Sequence, residues 1–180
     1  MTKNTRFSRS VTRDRIVGKV YKFGNNINTD VIYPGKYLSI TTDNQEMARH
    51  CFETVYPDFL TTAQPGDIIV AGKNFGCGSS REQAAACLKY FGISLILAES
   101  FARIFFRNAI NLGLPVLIVP NITQHVVHND TLEINFKSGI IKNMKNGEEL
   151  QAVKLPPFIL GIISAGGLIP YLKNRCAGHE

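Results

Sequence analysis

The chain has 180 residues, 44% of them hydrophobic, and a formal net charge of +6. That length suits a single domain with an ample core. No apolar run approaches the ~20 residues of a membrane span, and the N-terminus lacks the apolar core of a secretory signal.

Residues 1–15 hold Lys3, Arg6, Arg9, Arg13 and Arg15 against Asp14 alone. Five cations less one aspartate leave +4 there, most of the formal +6. The segment is short and has no clear amphipathic period, so it reads as a basic flexible tail rather than an organelle transit peptide. No basic helix or aromatic-interleaved basic stripe follows it, so nucleic-acid binding is not expected. Residues 16–180 read as one domain. Residues 16–23 alternate as an opening strand, and Gly24-Asn25-Asn26 turns the chain. Residues 27–38 read as a loop that starts on polar Asn28-Thr29-Asp30. A helix is predicted over 43–52, with Asp43 as N-cap and Glu46 three residues on.

Buried strands are predicted at 67–72, 93–98 and 114–119. They are separated by helices at 81–91 and 101–111, stopped by Gly92 and Gly113. Such a β-α-β-α-β core implies parallel strands with right-handed crossovers, and ligands on such sheets sit outside the carboxyl ends of the strands. From residue 130 the pattern changes. Thr131–Phe136 alternates, and Lys145-Asn146-Gly147-Glu148 offers a hairpin turn, so antiparallel strands are added to the core. Pro156-Pro157 opens a final segment, helical from about residue 158.

The densest chemistry lies in Asn74-Phe-Gly-Cys-Gly-Ser-Ser-Arg-Glu-Gln83. Ser79 and Glu82 have capping-box spacing, so Ser79 reads as a helix N-cap. Gly76 and Gly78 let backbone approach a ligand closely. Arg81 offers a bidentate carboxylate clamp two residues from Ser79. Read as structure alone, Ser79 is a plain cap, Arg81 a surface helix residue and Asp30 a turn residue. Read as a site, they form a loop at a helix start that receives carboxylates or phosphates.

Gly76-Cys-Gly-Ser-Ser-Arg-Glu82 resembles the Ser-Ser-Arg-Glu signature of the swivelling domain of the aconitase superfamily. Asn28–Leu38, Ala98–Pro115 and the tail Ala165–Leu172 resemble the same family in the same order, which covers residues 16 to 172. At this length the resemblance is to the isopropylmalate isomerase small-subunit family and its archaeal-type relatives. It implies an α/β fold, a three-layer β/β/α swivelling domain with a largely parallel core sheet plus antiparallel strands. It also implies a cytoplasmic hydro-lyase of branched-chain amino-acid (leucine) biosynthesis. In that family the first serine, here Ser79, acts as an alkoxide base on carbon next to a carboxylate. Ser80 and Arg81 are expected to bind substrate, and Asp30 to organise the polar network. The resemblance further implies a partner large subunit with a [4Fe–4S] cluster, and a small dicarboxylate substrate.

The resemblance also bears on which acid is taken. Where relatives handle a tricarboxylate, an arginine meets the extra carboxylate. Here those positions are Ser39 and Ile40, which favours an alkylmalate over a homoaconitate-like acid. Gln83 replaces the family's usual histidine and cannot carry charge near neutral pH. A small subunit of a 2,3-dimethylmalate or homoaconitate-type dehydratase is the alternative within enzymes. A non-catalytic partner-binding module is the alternative outside them.

Cys51, Cys77, Cys87 and Cys176 contain no Cys-x-x-Cys pair, so no cofactor or metal is expected in this chain, and free thiols suit a reducing cytoplasm. Cys77 reads as a small filler or a reactive thiol beside the site. His125 and His128 have a spacing that could hold a metal but lack a third ligand nearby, and read as a surface turn or a packed loop. Arg103, Arg107 and Asn108 are expected in structural or interface roles.

Overall fold

The structure is a computed structural model that describes residues 15–39 and 43–177. The basic tail up to residue 14, and Ile40, lie outside the described residues. Arg15, assigned to the tail on sequence, instead opens the first strand, β1 (Arg15–Lys22). Its guanidinium pairs with Glu133 on the neighbouring strand.

Seven strands form one sheet in the order β4-β3-β2-β1-β5-β6-β7. The strands β2 (Ile68–Ala71), β3 (Leu95–Ala98) and β4 (Val116–Ile118) run parallel to β1. The strands β5 (Thr131–Asn135), β6 (Ile140–Asn143) and β7 (Glu149–Gln151) continue the sheet as an antiparallel half. β1 is the hinge between the two halves. β2 and β3 are buried along their whole length, as continuous apolar runs in a covered parallel sheet must be. β5 alternates Leu132 and Ile134 inward against polar neighbours, the signature of a strand with one wet face. The turn at Lys145–Glu148 joins β6 to β7, with Gly147 at φ +75° supplying its left-handed residue.

The crossovers all step the same way along the sheet, so right-handed connections stack their helices together. The helix α4 (Gln83–Phe91) packs between α2 (Asn44–Ala48) and α5 (Arg103–Leu112). Both α4 and α5 end on left-handed glycines, Gly92 and Gly113, as the sequence predicts. Asp43 caps α2 through the Gln45 and Glu46 amides, but that helix stops at Ala48, short of residue 52. The predicted loop over 27–38 is instead a short helix, α1 (Thr29–Ile32), followed by a 3-10 turn (Gly35–Tyr37). Asn28 caps α1 by accepting from the Val31 amide at 2.8 Å. Two further short helices, α3 (Phe59–Thr62) and α6 (Ile122–His125), sit in connections, and α7 (Pro157–Ser164) and α8 (Leu168–Ala177) complete the chain. No described helix is long and apolar enough to cross a membrane.

Candidate active site

β1 and β2 are adjacent and parallel, so the loops that leave their carboxyl ends meet side by side. The connection after β1 carries Asn28 and, in the first turn of α1, Thr29 and Asp30, and the loop after β2 carries Gly76 to Arg81. Backbone bonds zip the two together. Gly76 N–H donates to the Ile27 carbonyl at 2.7 Å, and Thr29 N–H donates to the Cys77 carbonyl at 2.8 Å. The buried Thr29 hydroxyl then donates to the Ser79 carbonyl at 3.0 Å. A third parallel loop, after β3, locks the other flank: Phe75 N–H donates to the Ser100 carbonyl, and Ala102 N–H to the Phe75 carbonyl.

Gly76 is the tightest point of this arrangement. Its φ is +76°, and a Cβ built there would lie 2.2 Å from the Phe105 ring. Only glycine satisfies both demands. Phe105 is buried and belongs to α5, so the glycine couples the site loop to the helix layer.

Ser79 and Ser80 are both exposed. The predicted N-cap at Ser79 is not found. The first helical residue is Gln83, the residue in cap position is Glu82, and no side chain caps the helix. The Ser-x-x-Glu spacing is occupied by a non-helical approach to α4, bent at Ser79 and pinned through Thr29, rather than by a capping box. The Ser79 hydroxyl therefore stands free of the helix end.

Arg81 turns back toward the other loop and forms an ion pair with Asp30. The Arg81 side chain is 17% exposed and that of Asp30 is 55% exposed. Gly35 backs this pair: a Cβ on it would stand 3.1 Å from Asp30 Oδ1 and 3.2 and 3.3 Å from the two terminal nitrogens of Arg81. One edge of the guanidinium is thus held by Asp30. Asp30 is the one hydrogen-bond partner of Arg81 among the described residues, and a guanidinium has five N–H donors in one plane. Of the sequence-derived site residues, Asp30, Ser79, Ser80 and Arg81 lie on these two zipped loops. Ser39 lies exposed just beyond the 3-10 turn, and Ile40 is outside the described residues.

Sequence reasoning missed a second polar cluster beside this site. Glu53 accepts from Lys36 Nζ at 2.8 Å and from the Tyr37 hydroxyl at 2.7 and 3.0 Å, and it meets His50 Nδ1 at 2.6 Å. Tyr37 and His50 stack with ring centroids 3.6 Å apart. Burial alone would raise the Glu53 carboxyl, but these three partners outweigh it and hold it down at about 2. A cation, a phenol and an imidazole spaced around one glutamate by 17, 16 and 3 residues leave no local motif to read.

Elsewhere, Arg103 and Arg107 lie on the exposed face of α5, while Asn108 is half-buried. Ile104, on the same helix, is 40% exposed. His125 pairs with Glu148 at 2.6 Å, and His128 accepts from the Lys22 amide at 3.2 Å while meeting Tyr21 edge-on. Cys51 and Cys87 are buried, Cys77 is half-buried and Cys176 is exposed. Among the described residues no three His, Cys, Asp or Glu side chains converge as metal ligands. The described part of this chain offers no donor set for an iron–sulfur cluster.

A mixed sheet that presents serines and a carboxylate-held arginine at the carboxyl edge of its parallel half defines an aconitase-type domain. The model of the aconitase C-terminal domain family matches residues 15–121. The isopropylmalate/citramalate isomerase small subunit of Methanocaldococcus jannaschii is 53% identical over 168 residues, 93% of this chain and 99% of that protein. The 3-isopropylmalate dehydratase small subunit of Aquifex aeolicus is 48% identical over 161 residues, 89% of this chain and 95% of that protein. A crystal structure of 3-isopropylmalate dehydratase from Methanocaldococcus jannaschii matches with a TM-score of 0.86 at 43% identity, covering 91% of this chain and 96% of that one. The chain belongs to the family of 3-isopropylmalate dehydratase small subunits, hydro-lyase subunits of the aconitase type. Membership of a small-subunit family implies a large-subunit partner.

Proposed function

We propose that this chain is the proton-transferring half of a two-subunit hydro-lyase that interconverts 3-isopropylmalate and 2-isopropylmalate in leucine biosynthesis, working in the cytoplasm. The observation that carries the reading is the exposed Ser79–Ser80 pair held beside an Arg81 that still has donors to spare. In this reading Arg81 binds one carboxylate of the diacid through the edge that Asp30 leaves open. Ser80 hydrogen-bonds the substrate or orients Ser79. Ser79, as an alkoxide, takes the proton from carbon next to a carboxylate and becomes a neutral hydroxyl. When hydroxide has left the neighbouring carbon, an alkene diacid remains. Hydroxide adds to the carbon that had lost the proton, and Ser79 returns its proton to the carbon that had borne the hydroxyl, becoming an alkoxide again.

A serine hydroxyl is a weak base unless its anion is stabilised. The charge of Arg81 is offset by Asp30, and α4 begins four residues beyond Ser79, so its dipole acts at a distance at which it has largely faded. The remaining stabilisation comes from closure against the large subunit, which also excludes water. A [4Fe–4S] cluster on that subunit would supply the Lewis acid for the hydroxyl leaving group. Ser39 and Ile40 carry no positive charge for a third carboxylate and suit an alkyl group instead. The Methanocaldococcus jannaschii relative is named for both isopropylmalate and citramalate, which supports an alkylmalate and makes alkyl size the variable of interest.

The test is assembly of the full chain with its iron–sulfur large subunit, followed by turnover of 3-isopropylmalate, citramalate and homocitrate. Ser79→Ala is expected to remove turnover while leaving thermal stability unchanged, because the side chain is exposed. Full turnover by that variant would overturn the base assignment.

A further inference from the structure

We propose that Glu53 is a positioning residue for substrate binding, a latch that fixes the Gly35–Tyr37 turn against Arg81. This proposal rests on the reading of Arg81 as the carboxylate clamp. Three observations make the case. Glu53 holds both Lys36 and Tyr37, the last two residues of the 3-10 turn. The first residue of that turn, Gly35, stands against both terminal nitrogens of Arg81 and the carboxylate of Asp30. The residue two beyond Tyr37 is Ser39, a proposed substrate contact. One carboxylate thus sets the wall behind the guanidinium and the direction in which the chain leaves toward the substrate.

The latch is also held from its own side. His50 lies three residues before Glu53, contacts its carboxylate and stacks on the Tyr37 ring. His50 Nε2 also faces Glu46 at 3.4 Å, on α2. The turn is therefore tied to the segment that follows α2, and α2 packs on α4, the helix the Arg81 loop leads into. Lys36 adds a cation–π contact over Tyr37 at 4.7 Å. A surface ion pair alone would do little. Here three groups from two segments converge on one carboxylate, the geometry in which removal of the shared partner releases the whole set.

A turn held this way orders the site before substrate arrives, so its loss shows in binding and selectivity more than in the chemical step. The experiment uses Glu53→Gln and, as a gentler variant, Tyr37→Phe, which keeps the ring on His50 and deletes only the hydroxyl. In the full chain alone, amide hydrogen exchange at Tyr37 and Leu38 is expected to rise at least tenfold in Glu53→Gln. These amides donate to the Pro34 and Gly35 carbonyls within the turn. In the assembled enzyme, KM for 3-isopropylmalate is expected to rise about tenfold with kcat within twofold, and the preference between 3-isopropylmalate and citramalate to shift. Tyr37→Phe should move the same quantities in the same direction by less. Unchanged exchange would overturn the latch, as would raised exchange with KM and selectivity unmoved in both variants. An equal fall in kcat for all substrates at constant KM would overturn it too. Failure of the Arg81 reading would appear separately, as an unaltered KM in Arg81→Lys, and would leave the exchange result standing.

Discussion

The Thr29 hydroxyl donates to the Ser79 carbonyl at 3.0 Å across fifty residues of sequence, and Thr29 is only 2% exposed. This bond fixes the backbone from which the Ser79 hydroxyl projects. Thr29→Val keeps the shape and removes the donor. It leaves a carbonyl without its partner, at a cost of about 1–3 kcal/mol, or a few degrees in Tm for a chain of this length. The larger effect is expected in turnover. A loosened base drops kcat on the order of tenfold or more with KM little changed. Calorimetry and steady-state kinetics on the assembled enzyme check both, and an unaltered kcat would show that the contact does not orient Ser79.

Gly76 and Gly78 flank Cys77 and share a left-handed backbone, at φ +76° and +91°, yet they should respond differently to alanine. At Gly76 the new methyl would meet Phe105 at 2.2 Å, at the root of a buried ring with nowhere to retreat. At Gly78 the nearest atoms are 3.5 Å away. Gly78→Ala therefore suffers only the strain of its backbone, about 1–2 kcal/mol. Gly76→Ala adds overpacking and is expected to lose roughly 3 kcal/mol or more, enough to deplete folded protein on expression. Urea denaturation of the two variants side by side measures the gap; equal midpoints would refute the packing argument.

The parallel half of the sheet was legible because each element carries its own signal. The strands are continuous apolar runs, α4 and α5 end at glycines, and Pro120 follows the last parallel strand. The antiparallel half was legible from alternation in β5 and the Asn146-Gly147 turn. The α1 helix was not, because it is four residues long and its stability comes from the Asn28 cap and from tertiary pairing with Cys77, not from any period. Ser79 misled for a related reason. Its spacing to Glu82 satisfies a local rule, but the Ser79 backbone is held outside the helix by Thr29, and tertiary contact overrides local propensity. The Arg81–Asp30 pair spans 51 residues. The sequence marked both residues through the resemblance, yet nothing in their local patterns showed that one holds the other.

Arg81→Lys tests the clamp without removing its charge. A lysine can still face Asp30, but it is a point charge and cannot present a second planar edge to substrate. KM for the diacid is expected to rise roughly 10- to 100-fold, which is about 1.4–2.8 kcal/mol of binding, while Tm changes little. Asp30→Asn makes the complementary case: it frees the guanidinium from its partner and should weaken binding less than loss of the fork does. Equal KM values for wild type and Arg81→Lys would remove the bidentate reading.

Glu53 has a thermodynamic consequence that can be measured in this chain alone. Its carboxyl falls from the ordinary 4.5 to about 2 because the bonds from Lys36, Tyr37 and His50 outweigh its burial. The folded form therefore holds the ionised carboxylate more tightly than the unfolded chain does. The stabilisation is complete above about pH 4.5 and is lost as pH falls toward 2. The side chain is 29% exposed, so solvent screening reduces the gain to on the order of 1 kcal/mol. Glu53→Gln does not titrate there. The wild type should be more stable by a constant margin at pH 6 to 7, and that margin should shrink through the window from about 4.5 to 2. Thermal melts of both proteins across pH 2 to 7 give the difference directly, cancelling the other carboxylates that titrate in the same range, Asp130 among them. A margin that stays flat to pH 2 would mean that the carboxylate is not held by its three partners in solution.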